Sequence, residues 1–237
     1  MYRLGIIKSR RLCRSLGIDI VGAKDKVCNI NCIYCECGYG KYVGTPGIYA
    51  DFDVAIEELK VALSENEVDV VTFSGNVEPT LNIEIRRYIE AIKGFTDKKV
   101  CVITNSTLLQ NEQIYKGLLK ADVVMPSIDS INPKVFKDVN KPHKNVSLNV
   151  IKESLIKFSK EFTGEMFLEV LLVKGRNDSI EDLLELIEFV KQVNPTELHL
   201  NTVDRLPAEP LDAYSKESVE SIRDLFTERL PLPVKLF

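Results

Sequence analysis

KVCNINCIYCECGYG, residues 26–40, gathers four of the chain's six cysteines into ten positions, while Cys13 and Cys101 stand apart. The spacing is Cys28-x3-Cys32-x2-Cys35, with Cys37 one residue further on and an aromatic, Tyr34, against the third thiol. Three chemistries want thiols this close. A structural zinc site needs four closed ligands, usually as two separated pairs; here there is one compact group, and the only histidines are His143 and His199. A redox pair is a C-x-x-C opening a helix, which Cys32 and Cys35 satisfy while leaving Cys28 unexplained. An iron–sulfur cubane takes closely spaced thiolates, normally four. With three, one iron keeps an open position, and by analogy with catalytic zinc an open position is where chemistry is done. A one-residue gap after Cys35 strains a fourth bond to the same cube, so Cys37 is expected to point away as a free thiol.

The surrounding chain has globular composition. Apolar residues make up 45% and charged residues 28% of 237, which argues against long disorder. With 31 Lys and Arg against 35 Asp and Glu, the net charge of -4 leaves no overall electrostatic footprint for nucleic acid. No apolar run approaches the roughly 18 to 20 residues that span a bilayer. The N-terminal "MYRLGIIKSRRLCRSLG" is basic but lacks the apolar core of a signal peptide. A cytoplasmic protein without a membrane partner is therefore expected, in a compartment where thiols stay reduced.

Outward from the cysteines, two signals alternate. β-Rich runs occur at 15–21, 68–73, 99–104, 121–127, 166–173 and 197–201. Between them lie helical stripes: Phe52, Ile56, Leu59 and Leu63; Ile85, Ile89 and Ile92; Ile180, Leu183, Leu184, Ile187 and Val190. Six strands alternating with helices predict an α/β fold with parallel strands, either an open sheet or a barrel. Both put chemistry at the C-terminal ends of the strands, and the cysteine loop follows the first of them. With no Pro-, Gly- or Ser-rich linker, residues 1–237 are expected to form one domain.

C-x3-C-x2-C with an aromatic before the last cysteine is similar to the signature of radical S-adenosylmethionine (SAM) enzymes. "SRRLCRSLGIDIVGAKDKVCNINCIYC", "FSGNVEPTLN", "ITNSTLL", "VNKPHKNVSLNVI", "VKGRND" and "LNTVDRLPAEP" resemble, in order and spacing, the subgroup of tRNA wyosine-type synthases and their bacterial relatives. The resemblance spans residues 9 to about 210. It implies a partial TIM-like (β/α)6 barrel of parallel strands, with an iron–sulfur loop over 22–48. It further implies a [4Fe-4S] cluster on Cys28, Cys32 and Cys35, whose open iron chelates SAM. Reductive cleavage of SAM would then give a 5′-deoxyadenosyl radical that abstracts hydrogen from a substrate. An electron donor such as flavodoxin or ferredoxin is implied as partner.

By the same resemblance, Tyr34 lies against the adenine, and Gly75, Asn76 and Glu78 of "GNVEP" meet the SAM amino group. Asn76 and Val77 stand where the family has glycines, and a β-branched Val77 resists a positive φ. Short polar residues at two strand ends, Asn105, Ser127 and Asp129, are candidates for the ribose hydroxyls; the plainer role of such residues is helix capping. Lys174 is a candidate for substrate or the SAM carboxylate; at the end of the sixth strand Asn201 is a candidate cofactor contact and Arg205 a candidate anion contact. Ser179 or Asp178 is expected to cap the following helix, His199 to be a satisfied interior histidine, and "NKPHK" (140–144) a solvated loop. Wyosine-type synthases carry further upstream cysteines, whereas only Cys13 lies upstream here. A small-molecule or peptide substrate is therefore favoured over tRNA guanosine modification. The alternative class is a non-catalytic iron–sulfur or zinc module derived from the same family.

Overall fold

The computed structural model describes residues 3–237; Met1 and Tyr2, which open the basic N-terminal stretch, lie outside the described residues. Its frame is one eight-stranded sheet. In spatial order the strands are β1 (Arg3–Ser9), β2 (Cys13–Ile18), β5 (Val70–Phe73), β6 (Lys99–Thr104), β7 (Val123–Pro126), β8 (Glu165–Leu172), β9 (Glu197–Thr202) and β10 (Val234–Leu236). Two further short strands, β3 (Val27–Cys28) and β4 (Lys41–Tyr42), pair in the cysteine loop. β1 and β2 form an antiparallel hairpin, and all other pairings of the large sheet are parallel. Helices α1 (Phe52–Glu65), α2 (Ile85–Phe95), α3 (Glu112–Leu118), α4 (Pro133–Asn140), α5 (Leu148–Glu161), α6 (Ile180–Val193) and α7 (Lys216–Arg229) occupy the crossovers. This is the partial TIM-like barrel, six parallel βα units in chain order, with two strands added at its edges.

The six strands read from apolar runs are all present. The two edge strands were not anticipated: β1 opens the chain in a stretch read only as basic, and β10 is three residues long, too short for a periodicity. Residues of β5, β6 and β7 are almost all buried, as parallel strands covered on both faces must be. Their outer face packs with the helices in the main core, which includes Val71, Val100, Val124, Leu168, Ile89 and Leu155. Each such side chain contributes roughly 1.5–3 kcal/mol on burial. The inner face carries a small separate plug of Val70, Cys101, Val123 and Met125, closed by Leu12, Ile103 and Phe167. Cys101 is thus an interior apolar filler, its thiol pushed up by burial.

The helical stripes need one correction. In α6 the buried face is Leu183, Leu186, Ile187, Val190 and Val193, with Phe189 beside it, whereas Ile180 and Leu184 are 61% and 38% exposed. Ile180 is the first helical residue. Ser179 caps that helix as expected, accepting from the Asp182 N–H at 3.1 Å. Asp178 instead accepts from Gly175 N–H and the Tyr214 hydroxyl.

The sheet is curled but open, its edge strands β1 and β10 being unpaired with each other. The turn joining β1 to β2 reaches across the gap: Arg10 pairs with Asp204 beyond β9 at 3.2 Å, and Arg11 pairs with Glu169 of β8. The Arg11 guanidinium also lies 5.6 Å from the centre of the Phe237 ring, just past β10. A hairpin turn, rather than further βα units, closes the side of this barrel. Among the described residues no helix is long and apolar enough to cross a membrane.

Candidate metal centre and cofactor site

The cysteine loop leaves the C-terminal end of β2 and folds on itself. Gly40 accepts and donates through its backbone to the Asn31 amide, at 3.2 and 3.0 Å. A Cβ at Gly40 would stand 2.4 Å from the Lys26 carbonyl oxygen, so only glycine allows this approach. The loop then rests on the end of α4: Asn31 N–H donates to the Asn140 carbonyl, Ile33 N–H to Val139, and His143 N–H to Asn29, while Ile30 and Pro142 form an antiparallel bridge. The 140–144 stretch is therefore not a solvated loop. It is the bed of the cysteine loop, and the Asn140 side chain is buried there.

Cys28, Cys32 and Cys35 line one cavity of about 210 Å³ together with Glu78, Thr104, Asn105 and Ser127. Two side-chain amides point at the sulfurs: Asn105 Nδ2 lies 3.3 Å from Cys28 Sγ, and Asn140 Nδ2 lies 3.4 Å from Cys32 Sγ. Burial pushes the Cys28 thiol up to about 11 and the Cys32 thiol up to about 12. Cys35 moves the other way, to about 6, chiefly because the Cys37 thiol hydrogen-bonds to it and then because Lys26 is near. Cys37 Sγ sits 3.3 Å from Asn76 Oδ1 and lines a neighbouring cavity rather than this one. Buried thiols met by N–H donors suit sulfur that is to be held as metal-bound thiolate, since the metal supplies the charge that burial withholds. The residues therefore fit a cubane held by three cysteines. Among the described residues no three His, Cys, Asp or Glu groups, the three cysteines included, stand close enough to hold a single metal ion.

Around the cavity the structure distributes the candidate residues unevenly. Glu78 is fully enclosed: Oε1 accepts from Thr80 N–H (3.1 Å), the Thr80 hydroxyl and the Thr104 hydroxyl (2.7 Å), and Oε2 from Asn105 N–H (2.8 Å). Burial raises its carboxyl, and the Asn105 N–H and Thr104 bonds oppose that rise. Gly75 has a φ of 126°, which only glycine adopts readily. Val77 does not have a positive φ; it sits in a parallel bridge with Val27, so the β-branched residue is at ease there. Asn105 is held on both sides, donating to Asn29 Oδ1 (2.8 Å) as well as Cys28 and accepting from Thr107. Ser127 is half-buried on the cavity wall, and among the described residues its hydroxyl makes no hydrogen bond.

Asp129 is spent on positioning. Its carboxylate accepts from the Tyr34 hydroxyl, Asn140 Nδ2 (2.6 Å) and Leu171 N–H (2.9 Å). Tyr34, so anchored, lines both the cysteine cavity and its neighbour. That second cavity, about 330 Å³, also takes in Arg11, Glu169, Asn201 and Arg205. Asn201 donates to Glu169 at 3.3 Å, and Arg205 pairs with Glu36. Lys174 is not brought to either cavity. It is exposed, bonds to the Ala213 carbonyl, and lines a separate groove with Arg176 and residues 206–212. His199 is buried between Phe167 and Phe237 with Nε2 on Glu197 at 2.9 Å; its Nδ1 has no partner among the described residues, so it is only half satisfied.

The sequence reading missed Asn29, Asn140, Arg11 and Glu169. The charged Glu169 inside the apolar run of β8 was the one local signal. On that strand residues alternate between the buried helix side and a half-buried interior side, and Glu169 falls on the interior.

Residues 26–190 match the family model of the radical SAM superfamily. A GTPase Obg of Brachyspira hyodysenteriae is 39% identical over 94% of this chain, which covers 33% of that protein. A UPF0026 protein of Methanocaldococcus jannaschii is 32% identical over 94% of this chain, which covers 70% of it. The chain thus spans a third of the first relative's length and about two thirds of the second's. Among solved structures, SuiB of Streptococcus suis bound to S-adenosylmethionine aligns with a TM-score of 0.71 at 14% identity, covering 90% of this chain and 48% of that one. A radical SAM methyltransferase of Sphaerobacter thermophilus gives 0.72 at 15% identity, with 98% and 68% covered. TYW1 with a lysine-pyruvate adduct gives 0.64 at 16%, with 90% and 73% covered. These structural likenesses concern the fold, while the family match covers the four clustered cysteines and the four βα units that begin with β5, β6, β7 and β8, and on that ground the chain belongs to the radical SAM superfamily of enzymes.

Proposed function

We propose that the chain holds a [4Fe-4S] cluster on Cys28, Cys32 and Cys35 and binds SAM in the cavity those residues share with Glu78, Asn105 and Ser127. The observation that carries this reading is the lining of one cavity by three cysteines, two of them met by side-chain amide donors, with polar strand ends on its rim. When bound, the two groups together supply one-electron cleavage of the SAM sulfonium and a carbon radical for hydrogen abstraction.

The chain's own residues prepare the place. Asn105 and Asn140 donate to cysteine sulfurs, which stabilises negative charge there and tunes the potential at which an electron is accepted. Glu78 offers a buried carboxylate to an ammonium and holds the Asn105 backbone that carries one of those donors. The Ser127 hydroxyl is free for a ribose oxygen. Tyr34 presents a flat ring to a purine, fixed by its bond to Asp129. Lys174, Asn76 and Asn201 are left without a SAM contact in this reading; Asn201 belongs to the adjoining cavity. A protein electron donor and a substrate complete the system, and the resemblance to TYW1 and to SuiB leaves the substrate's class to the adjoining cavity.

The test is anaerobic reconstitution. The chain should take up about four irons and four sulfides. Cys28→Ala, Cys32→Ala or Cys35→Ala should abolish that uptake, and Cys37→Ala should leave it. Reductant and SAM should then yield 5′-deoxyadenosine. If Cys37 proves as necessary as the other three, the site is closed and the SAM reading fails with it.

A further inference from the structure

The cavity beside the cysteines shares Tyr34, Cys35 and Gly75 with the cysteine cavity, so a molecule in one touches the walls of the other. At about 330 Å³ it lies at the small end of ligand sites. Its charged lining comes as three ion pairs: Arg10 with Asp204, Arg11 with Glu169, and Arg205 with Glu36. The formal charge of those six residues sums to zero.

The pairs differ in depth. Arg10, Asp204, Arg205 and Glu36 are each more than half exposed and form the rim. Arg11 and Glu169 are 27% and 13% exposed and form the floor. Glu169 Oε1 takes both Arg11 and Asn201, leaving Oε2 without a hydrogen bond among the described residues. The Arg11 guanidinium, though ion-paired with Glu169, makes no hydrogen bond among the described residues, its Nη1 being buried without a partner. A donor face and an acceptor face are therefore open side by side, with Leu171, Val203 and Phe237 as an apolar wall.

Charge decides what enters. A phosphate or other simple anion would engage Arg11 and leave Glu169 withdrawn from water beside a second negative charge, which is costly. A simple cation would do the reverse. A ligand bearing both charges replaces each half of the pair by its own counterpart and leaves nothing uncompensated. We propose that this cavity binds a free α-amino acid as the enzyme's substrate, its carboxylate on Arg11, its ammonium on Glu169 and its side chain against Leu171, Val203 and Phe237.

This inference rests on the radical SAM reading, and its test separates the two. Reconstituted protein with SAM and no reductant, and in parallel the cluster-free chain, are titrated calorimetrically with each of the twenty free amino acids. The expected result is binding of at least one of them. Its N-acetyl and its carboxamide derivatives, each lacking one charge, should bind about tenfold more weakly or worse. Arg11→Gln and Glu169→Gln should cause losses of the same order, while Arg11→Lys, which keeps the charge, should recover part of the affinity. Iron uptake should match the parent in all three variants. Absence of binding by every amino acid, equal binding of the two singly charged derivatives, or tighter binding of inorganic phosphate or a nucleoside monophosphate overturns the inference. Iron uptake and 5′-deoxyadenosine formation report separately on the radical SAM reading.

Discussion

Asn140 is a sharp test of how the cysteine loop is held, because one buried amide serves two masters. Its Nδ2 lies 2.6 Å from Asp129 Oδ2 and 3.4 Å from Cys32 Sγ, and the residue is 3% exposed. Asn140→Leu keeps the number and branching of the side-chain heavy atoms and removes the donor. A hydrogen bond to an ionised group contributes about 1.5–3 kcal/mol, which in a chain of this size lowers Tm by roughly 3 to 12 °C. The effect should depend on pH. Burial raises the Asp129 carboxyl, while Tyr34, Leu171 N–H and Asn140 hold it down; without Asn140 it rises further. A carboxyl raised in the folded state penalises the fold when charged, so the added penalty is full above the folded value and fades as pH falls toward the unfolded value of about 3.9. Urea unfolding of the cluster-free chain at pH 8 and near pH 4.5 should show the larger deficit at pH 8. The reconstituted variant should keep its iron and show a more negative midpoint potential, having lost an N–H···S bond. Equal stability of variant and parent at pH 8, or a deficit that does not shrink on acidification, refutes the role assigned to Asn140.

Three further outcomes follow from the same structure. Glu78→Gln should weaken SAM binding by about ten- to a hundredfold with iron content intact; unchanged affinity in a titration would confine this carboxylate to capping Thr80 and holding Asn105. Gly40→Ala, whose Cβ meets the Lys26 carbonyl, should cost about 1–3 kcal/mol and lower iron uptake, whereas Gly94→Ala in α2, with open space around it, should raise stability by roughly 0.5–1 kcal/mol in the same denaturation assay. Total tRNA should bind weakly at physiological salt in a filter assay. The basic cluster from Lys8 to Arg14 is largely used internally, Arg10 on Asp204, Arg11 on Glu169 and Arg14 on Asp69 and Glu67; submicromolar binding that falls steeply with salt would contradict this.

Short-range patterns carried much of the fold. The β-rich segments located β2 and β5 to β9, and the helical stripes located α1, α2 and α6, because burial on both faces of a strand, or along one face of a helix, repeats within a few residues; α3, α4 and α5 were not read from a stripe. The spacing of Cys28, Cys32 and Cys35 likewise reads locally, since one loop supplies all three sulfurs. The helix cap was narrowed to Asp178 or Ser179 by position, and the fold uses Ser179.

What tertiary structure decided is what lies across the barrel. Asn140 reaches a cysteine 108 positions away, and Asn105 one 77 positions away. Arg11 meets Glu169 only because the sheet curls far enough for a hairpin turn to cross its open side. The same curl and the tilt of the strands leave Lys174 outside both cavities although it ends a strand as Asn105 and Ser127 do. Val77 shows the converse: a residue that looked strained by analogy is relaxed by a bridge to Val27. Periodicity specifies which face of an element is buried, but which side chains meet depends on strand register, tilt and closure, and those are set by the packing of the whole sheet rather than by any one stretch of chain.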